Sequence, residues 1–185
     1  MSKLKEYNGH YCESEYEYAF IAFLENEGWK YKSGNNIPRT YKKDVLNESE
    51  LEEFLVKTNS DLNAEEIKEL IDNVRLVGAE SDFATLHKVY GWMVDGIQFT
   101  PQNGLARMVP LIDFENPENN IFTVVNQFAV EYTNNGEKKT RRPDVLLYVN
   151  GMPLCIIELK NPADSNATIY DAWEQINIRY WRDIP

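Results

Sequence analysis

Asp144, Glu158 and Lys160 are the residues of this sequence whose types and spacing could do chemistry. Asp144 follows Arg142-Pro143 and opens an apolar run, Val145-Leu146-Leu147-Tyr148-Val149. Asn150-Gly151 interrupts it, and Met152-Pro153-Leu154-Cys155-Ile156-Ile157 then leads to Glu158-Leu159-Lys160. Two apolar runs rich in β-branched residues around an Asn-Gly read as a β-hairpin with charge at its outer ends. Side chains two apart on a strand share a face, so Glu158 and Lys160 project together. Charge at the rim of apolar strands is costly unless it is paired or bound to a metal. Two converging carboxylates could hold Mg²⁺ with several of its waters. The ion would polarise a phosphoryl oxygen and favour hydroxide, while the lysine orients that water or steadies developing charge. The chemistry expected is phosphodiester hydrolysis. A solvated strand end can carry the same trio, and spacing alone leaves both readings open.

Register sharpens the test. A two-residue turn at Asn150-Gly151 pairs residue 144 with 157 and turns Asp144 away from Glu158. A three-residue loop through Met152, with Gly151 in the left-handed region, pairs 144 with 158 and brings both acids to one side. A working site therefore requires the longer loop, or a bulge or bend that rotates Asp144. Both strands are apolar on both faces, which predicts a place inside a covered sheet.

The elements that must position this hairpin can be read from periodicity. Residues 13–29 carry apolar side chains at 16, 20, 21, 23 and 24, the spacing of a helix with one buried face, and Gly28 is its expected C-cap. Glu13 and Glu17 lie on that helix near its N-terminus, where solvated acids are favoured. Asn47 and Asn63 read as caps of two acidic amphipathic helices, with Leu51, Phe54, Leu55 and Ile67, Leu70, Ile71, Val74 inward. A further helix is expected from about Ser81 to Val94, with Phe83, Leu86, Val89 and Tyr90 buried and His87 structural. Strands are expected at 97–99, 109–114 and 122–130, with a turn at Asn134-Asn135-Gly136. Gly136-Glu137-Lys138-Lys139-Thr140 ends like a phosphate-binding loop, but the earlier glycine and the following helix are missing. Asn161-Pro162 ends the hairpin, and a helix over 168–181 should bury positions 169, 172, 173, 176 and 180.

Composition suits a globular chain: 185 residues, 43% hydrophobic. The first residues lack a secretory signal, and no stretch approaches a membrane span, which places the protein in the cytoplasm. Cys12 and Cys155 suggest neither a disulfide framework nor a zinc cluster. Nineteen basic against thirty acidic residues give a net charge of −11, the wrong sign for gripping a nucleic-acid backbone unaided. Other domains or subunits would have to hold the DNA. The chain stops at Asp183-Ile184-Pro185, just past the last expected helix, which points to a piece of a longer protein.

The run from Arg142 to Leu154, ending Ile157-Glu158-Leu159-Lys160-Asn161-Pro162, resembles the nuclease signature of the restriction (R) subunit of type I restriction-modification enzymes. Val125-Asn126-Gln127-Phe128 is similar to the family as well, as is Glu13-Ser14 with Tyr16-Glu17 leading to Gly28-Trp29. The likeness leaves the acidic middle uncovered.

The resemblance implies an α/β fold with a PD-(D/E)xK core. Its mixed central sheet would be flanked by helices; the uncovered acidic stretch reads as a helical insertion at about 44–78, all within one endonuclease domain over 1–185. It implies Asp144, Glu158 and Glu17 as Mg²⁺ ligands, Lys160 as catalytic lysine and Gln175 as a further site residue. It also implies double-stranded DNA as substrate, partnership with modification and specificity subunits, and ATP bound by a translocase outside this stretch. The family tends to carry Gln-x-x-x-Tyr on the helix after the lysine. Here Gln175 and Tyr180 are five apart, roughly 140° around a regular helix, so the pair is expected to diverge while Gln175 and Arg179 share a face. Rival readings are a free-standing repair or junction nuclease of the same superfamily, and a non-catalytic docking module working through the acidic helices of 47–77. The intact trio argues against the module.

Overall fold

The computed structural model describes residues 6–7, 10–11, 13–77, 82–160 and 168–183. In chain order the elements are β1 (Glu6–Tyr7), β2 (His10–Tyr11), α1 (Glu13–Asn26), β3 (Lys30–Ser33), α2 (Glu48–Thr58), α3 (Ala64–Arg75), α4 (Asp82–Asp95), β4 (Ile97–Phe99), β5 (Arg107–Val109), β6 (Phe122–Asn126), β7 (Val130–Asn134), β8 (Glu137–Arg141), β9 (Val145–Val149), β10 (Met152–Ile157) and α5 (Ile169–Glu174). A π-helical turn, Gln175–Tyr180, and a last α-helical turn, Trp181–Asp183, continue α5. The chain divides into two compact units: Met1–Val45 with Phe122–Tyr148 and Pro153–Pro185, and Leu46–Ile121 with Val149–Met152.

The fold is mixed α/β. The first unit is built on a four-stranded mixed sheet in the order β10-β9-β6-β3, in which β3 and β6 run parallel, Tyr31 beside Val124 and Ser33 beside Asn126. Helix α1 buries Ile21 and Leu24 against Val124 and Val145. It ends where Gly28 adopts φ 93, with the Trp29 amide donating to the Leu24 carbonyl and the Gly28 amide to Glu25. This is the glycine-capped exit that the sequence predicts. Beyond β6, Ile37, Val125, Phe128, Val130, Leu146 and Tyr148 form a second cluster. The expected strand over 122–130 is two strands, because Gln127 takes φ 53 and turns the chain between them. Strand β10 lies at the sheet edge with Leu154 and Cys155 exposed, so only β9 meets the expectation of a covered interior strand.

The second unit packs Leu51, Phe54 and Leu55 of α2 against Ile67, Leu70 and Ile71 of α3 and against Ile97, Phe99 and Val109 of the β4–β5 pair. Asn63 caps α3 in a reciprocal box with Glu66, as expected, whereas the Asn47 side chain makes no cap bond to α2. Two expectations fail here. Pro110 ends β5, so 110–114 is no strand. Helix α4 forms, but Phe83, Leu86 and Tyr90 face outward at 80%, 56% and 62% exposure, and His87 is exposed with them. Apolar periodicity identified the helix without saying which side the core would take. Cys12, Ser81 and Asn161-Pro162 lie outside the described residues.

Candidate active site

The hairpin turn is the two-residue form. Asn150 at φ 50 and Gly151 at φ 78 are both left-handed, the backbone that Asn-Gly favours between twisted strands. The longer loop expected for a working site is therefore not found. Its stated alternative is: the chain bends at Asp144, just ahead of β9. The Asp144 carbonyl accepts from the Gln127 amide at 3.0 Å, and its carboxylate Oδ2 accepts from the Leu159 amide at 2.9 Å. In return Glu158 Oε1 lies 3.4 Å from the Asp144 amide nitrogen. Each acid thus reaches across to the backbone beside the other, and the bend does what register alone would not.

The Glu158 side chain is 1% exposed and both its oxygens are engaged. The Tyr180 hydroxyl donates to Oε1 at 2.6 Å and the Gln175 amide to Oε2 at 2.7 Å. The same Gln175 amide donates to the Tyr180 hydroxyl at 2.6 Å, and Gln175 Oε1 accepts from Lys160 Nζ at 3.3 Å. Lys160 Nζ stands 3.9 Å from Glu158 Oε2. The expected divergence of Gln175 and Tyr180 is overturned by the helix itself. It switches to π geometry over Gln175–Tyr180, the Trp181 amide reaching the Ile176 carbonyl five residues back. Five residues in such a turn come close to a full circle, so both side chains share a face. Arg179, expected beside Gln175, instead pairs with Glu174 at 3.5 Å.

Glu17 is buried, against its reading as a solvated residue. Its oxygens accept from the Asn126 side-chain amide at 2.7 Å and from the Gln127 side-chain amide at 2.8 Å. Asn126 in turn accepts from the Tyr31 hydroxyl at 3.0 Å. Glu17 is tied to Asp144 through Gln127, whose side chain serves one and whose backbone serves the other. The family likeness of Val125-Asn126-Gln127-Phe128 gives Asn126 and Gln127 no task; the structure makes them the donors to Glu17. The signal is a general one: an amide side chain at the end of an apolar β-branched strand needs hydrogen-bond partners if it is buried.

Burial pushes the Glu158 carboxyl up to about 7; the Tyr180 hydrogen bond opposes that, and the Asp144 charge adds to it. Burial and the hydrogen bond to Glu158 raise the Tyr180 phenol, so it stays a donor. Two adjacent carboxylates, one holding its proton more tightly because of burial and its neighbour's charge, are donor chemistry that fits a hard dication such as Mg²⁺. Among the described residues no three His, Cys, Asp or Glu side chains are gathered to hold a metal. The fit is thus carried by Asp144 and Glu158, with Glu17 engaged by its amides.

A family model described as type I restriction enzyme R protein N terminus matches residues 11–184. The MjaIXP protein of Methanocaldococcus jannaschii, whose name describes a type I restriction enzyme endonuclease subunit, is 34% identical over 178 residues, 91% of this chain and 17% of that protein. The type I restriction enzyme HindI endonuclease subunit of Haemophilus influenzae is 31% identical over 177 residues, 88% of this chain and 16% of that protein. The chain spans about a sixth of the length of these relatives.

Proposed function

The chain belongs to the type I restriction enzyme R protein N-terminus family, and we propose that it is the part of such an enzyme that cuts DNA, hydrolysing phosphodiester bonds with Mg²⁺. The observation that carries this reading is the convergence of Asp144, Glu158 and Lys160, with Glu158 and Lys160 both held by Gln175. Convergence of this kind is what a solvated strand end lacks.

Asp144 and Glu158 would hold the ion. Glu17 would join them by exchanging one of its amide partners. When bound, Mg²⁺ supplies charge to polarise a phosphoryl oxygen and to lower the pKa of an attacking water. Lys160 keeps its ammonium beside Glu158, placed to orient water or steady charge on the phosphoryl oxygens. Gln175 uses its carbonyl on Lys160 and its amide on Glu158 and Tyr180, so one side chain fixes the spacing of the others. Tyr180 clamps Glu158 Oε1 and leaves that carboxylate little freedom. Double-stranded DNA is the substrate in this reading. Modification and specificity subunits and an ATP-driven translocase supply recognition and delivery, with ATP bound outside this chain.

The test is Mg²⁺-dependent nicking by the assembled enzyme carrying Asp144→Ala or Lys160→Ala. Loss of cleavage with ATP hydrolysis intact is expected. Full cleavage by either variant removes the catalytic assignment.

A further inference from the structure

We propose that a cationic cleft in the first unit, separate from the carboxylate pair, grips the phosphodiester backbone of duplex DNA. The inference rests on the nuclease reading above, which supplies DNA as the ligand. The cleft encloses about 450 Å³ and is lined by the Tyr41–Lys43 turn, the β7–β8 hairpin and Arg182 with Asp183 at the end of the last helix. Lys42, Lys43, Lys138 and Arg182 are its cations, and Glu131 and Asp183 its carboxylates.

Both carboxylates are already answered. Glu131 meets Lys42 Nζ at 3.2 Å. Asp183, with its side chain 3% exposed, accepts from Arg182 Nε at 2.7 Å and from Arg141 Nε at 2.8 Å. Those two guanidiniums hold its carboxyl far below the ordinary carboxylate range, so it remains charged and keeps both arginines in place. Among the described residues Lys43 and Lys138 form no ion pair. The cleft therefore has surplus positive charge in a chain whose net charge is −11, a local reversal of sign suited to a polyanion.

The cleft is also built rather than strewn on the surface. The Lys42 carbonyl accepts from the Glu131 amide at 3.0 Å and from Arg39 Nη1 at 3.1 Å, and Asp44 Oδ2 accepts from the Tyr41 amide at 2.8 Å. Lys138 stands opposite Thr133 in the β7–β8 ladder, and the Arg141 guanidinium lies 5.2 Å from the Tyr132 ring centroid. The Gly136–Thr140 stretch, which only ends like a nucleotide loop, turns at Gly136 into β8, which delivers Lys138 to this cleft. It answers the charge objection without needing the whole chain to be basic.

The experiment titrates the whole 185-residue chain against a short fluorescein-labelled DNA duplex in EDTA, by anisotropy, over a series of salt concentrations. Lys43→Glu with Lys138→Glu is expected to weaken binding about tenfold or more and to reduce the log–log salt slope by about two, one per lost phosphate contact. Lys57→Glu with Lys68→Glu, the same charge change on α2 and α3, is expected to keep the slope. An unchanged slope in the cleft pair, an equal loss in the control pair, no binding by the parent chain, or tighter binding of an RNA duplex of the same length overturns the proposal. Circular dichroism and urea midpoints monitor folding; should the reversal pair unfold, Lys43→Gln with Lys138→Gln gives the same slope reading. Failure of the nuclease reading shows separately, as cleavage by the assembled enzyme carrying Asp144→Asn.

Discussion

Gln175 and Tyr180 touch side chain to side chain, amide nitrogen to hydroxyl at 2.6 Å, although five residues separate them. The contact exists because the helix runs as a π turn between them. A π turn has poorer backbone packing than an α turn and is found mostly where a side-chain arrangement repays it. Here the repayment is a buried carboxylate whose two oxygens are each met by one of the pair.

Tyr180→Phe removes the donor to Glu158 Oε1 and the acceptor for Gln175. A hydrogen bond to a charged group contributes roughly 1.5–3 kcal/mol, so cleavage by the assembled enzyme at neutral pH should fall roughly ten- to hundredfold. The hydroxyl also lowers the Glu158 pKa. Its loss should therefore move the acid limb of the rate profile to higher pH. A variant with reduced rate and an unmoved profile would show that Tyr180 acts on something other than Glu158.

Glu158 keeps its proton to about pH 7 in the fold, against an ordinary value of 4.5. Between those values the folded chain binds more protons than the unfolded chain, so stability should fall as pH climbs through the window and level off above it. Glu158→Gln should flatten that slope. Mg²⁺ added above pH 7 should raise the melting temperature of the parent chain and leave Asp144→Asn unchanged. Thermal melts at several pH values, with and without Mg²⁺, measure all three. A slope that survives in the Gln variant would assign the titration to another group.

Much of the site was legible because its parts are local in sequence. Asp144, Glu158 and Lys160 belong to one hairpin, and its Asn-Gly turn announces itself. Helix α1 and its glycine exit follow from apolar spacing in the same way. What was not legible depends on geometry that periodicity assumes away. Regular helix spacing set Gln175 and Tyr180 apart, and a π turn unites them. Register alone turned Asp144 from Glu158, and a bend ahead of β9 corrects it. Glu17 looked solvated because nothing near it in sequence satisfies a buried carboxylate, while its partners, Asn126 and Gln127, come from a distant strand end.

Glu17→Gln separates scaffold from ligand. The carboxylate accepts from two amides, Asn126 and Gln127, and an amide in its place offers one acceptor and turns an NH₂ toward a neighbouring NH₂. One donor is left buried without a partner, costing about 1–3 kcal/mol, visible as a lower urea midpoint. Assays well below the melting temperature should then show the Mg²⁺ needed for half-maximal cleavage raised by about tenfold. An unaltered requirement in a folded variant would take Glu17 out of the ligand set and leave it as an anchor for Gln127 and the Asp144 backbone.

The tip of the hairpin makes the last prediction, one of stability. Asn150 is 0% exposed; its Oδ1 accepts from the Ile121 amide at 2.7 Å, and its Nδ2 donates to the Leu111 carbonyl and Asn120 Oδ1, each at 2.8 Å. It also holds φ 50, which alanine adopts at a cost. Asn150→Ala strands the Ile121 amide and the Leu111 carbonyl in the interior and should destabilise the chain by roughly 2–4 kcal/mol. Gly151→Ala should be at least as damaging. Its φ is 78, and a Cβ there would sit 2.2 Å from the Asn47 carbonyl oxygen and 2.8 Å from the Leu51 amide nitrogen, backbone atoms that cannot step aside as a side chain would. Urea denaturation of both variants decides it. A loss below about 1 kcal/mol at Asn150, the range of an ordinary surface change, would mean that neighbouring groups or water replace its bonds and that the tip is not locked from within the second unit.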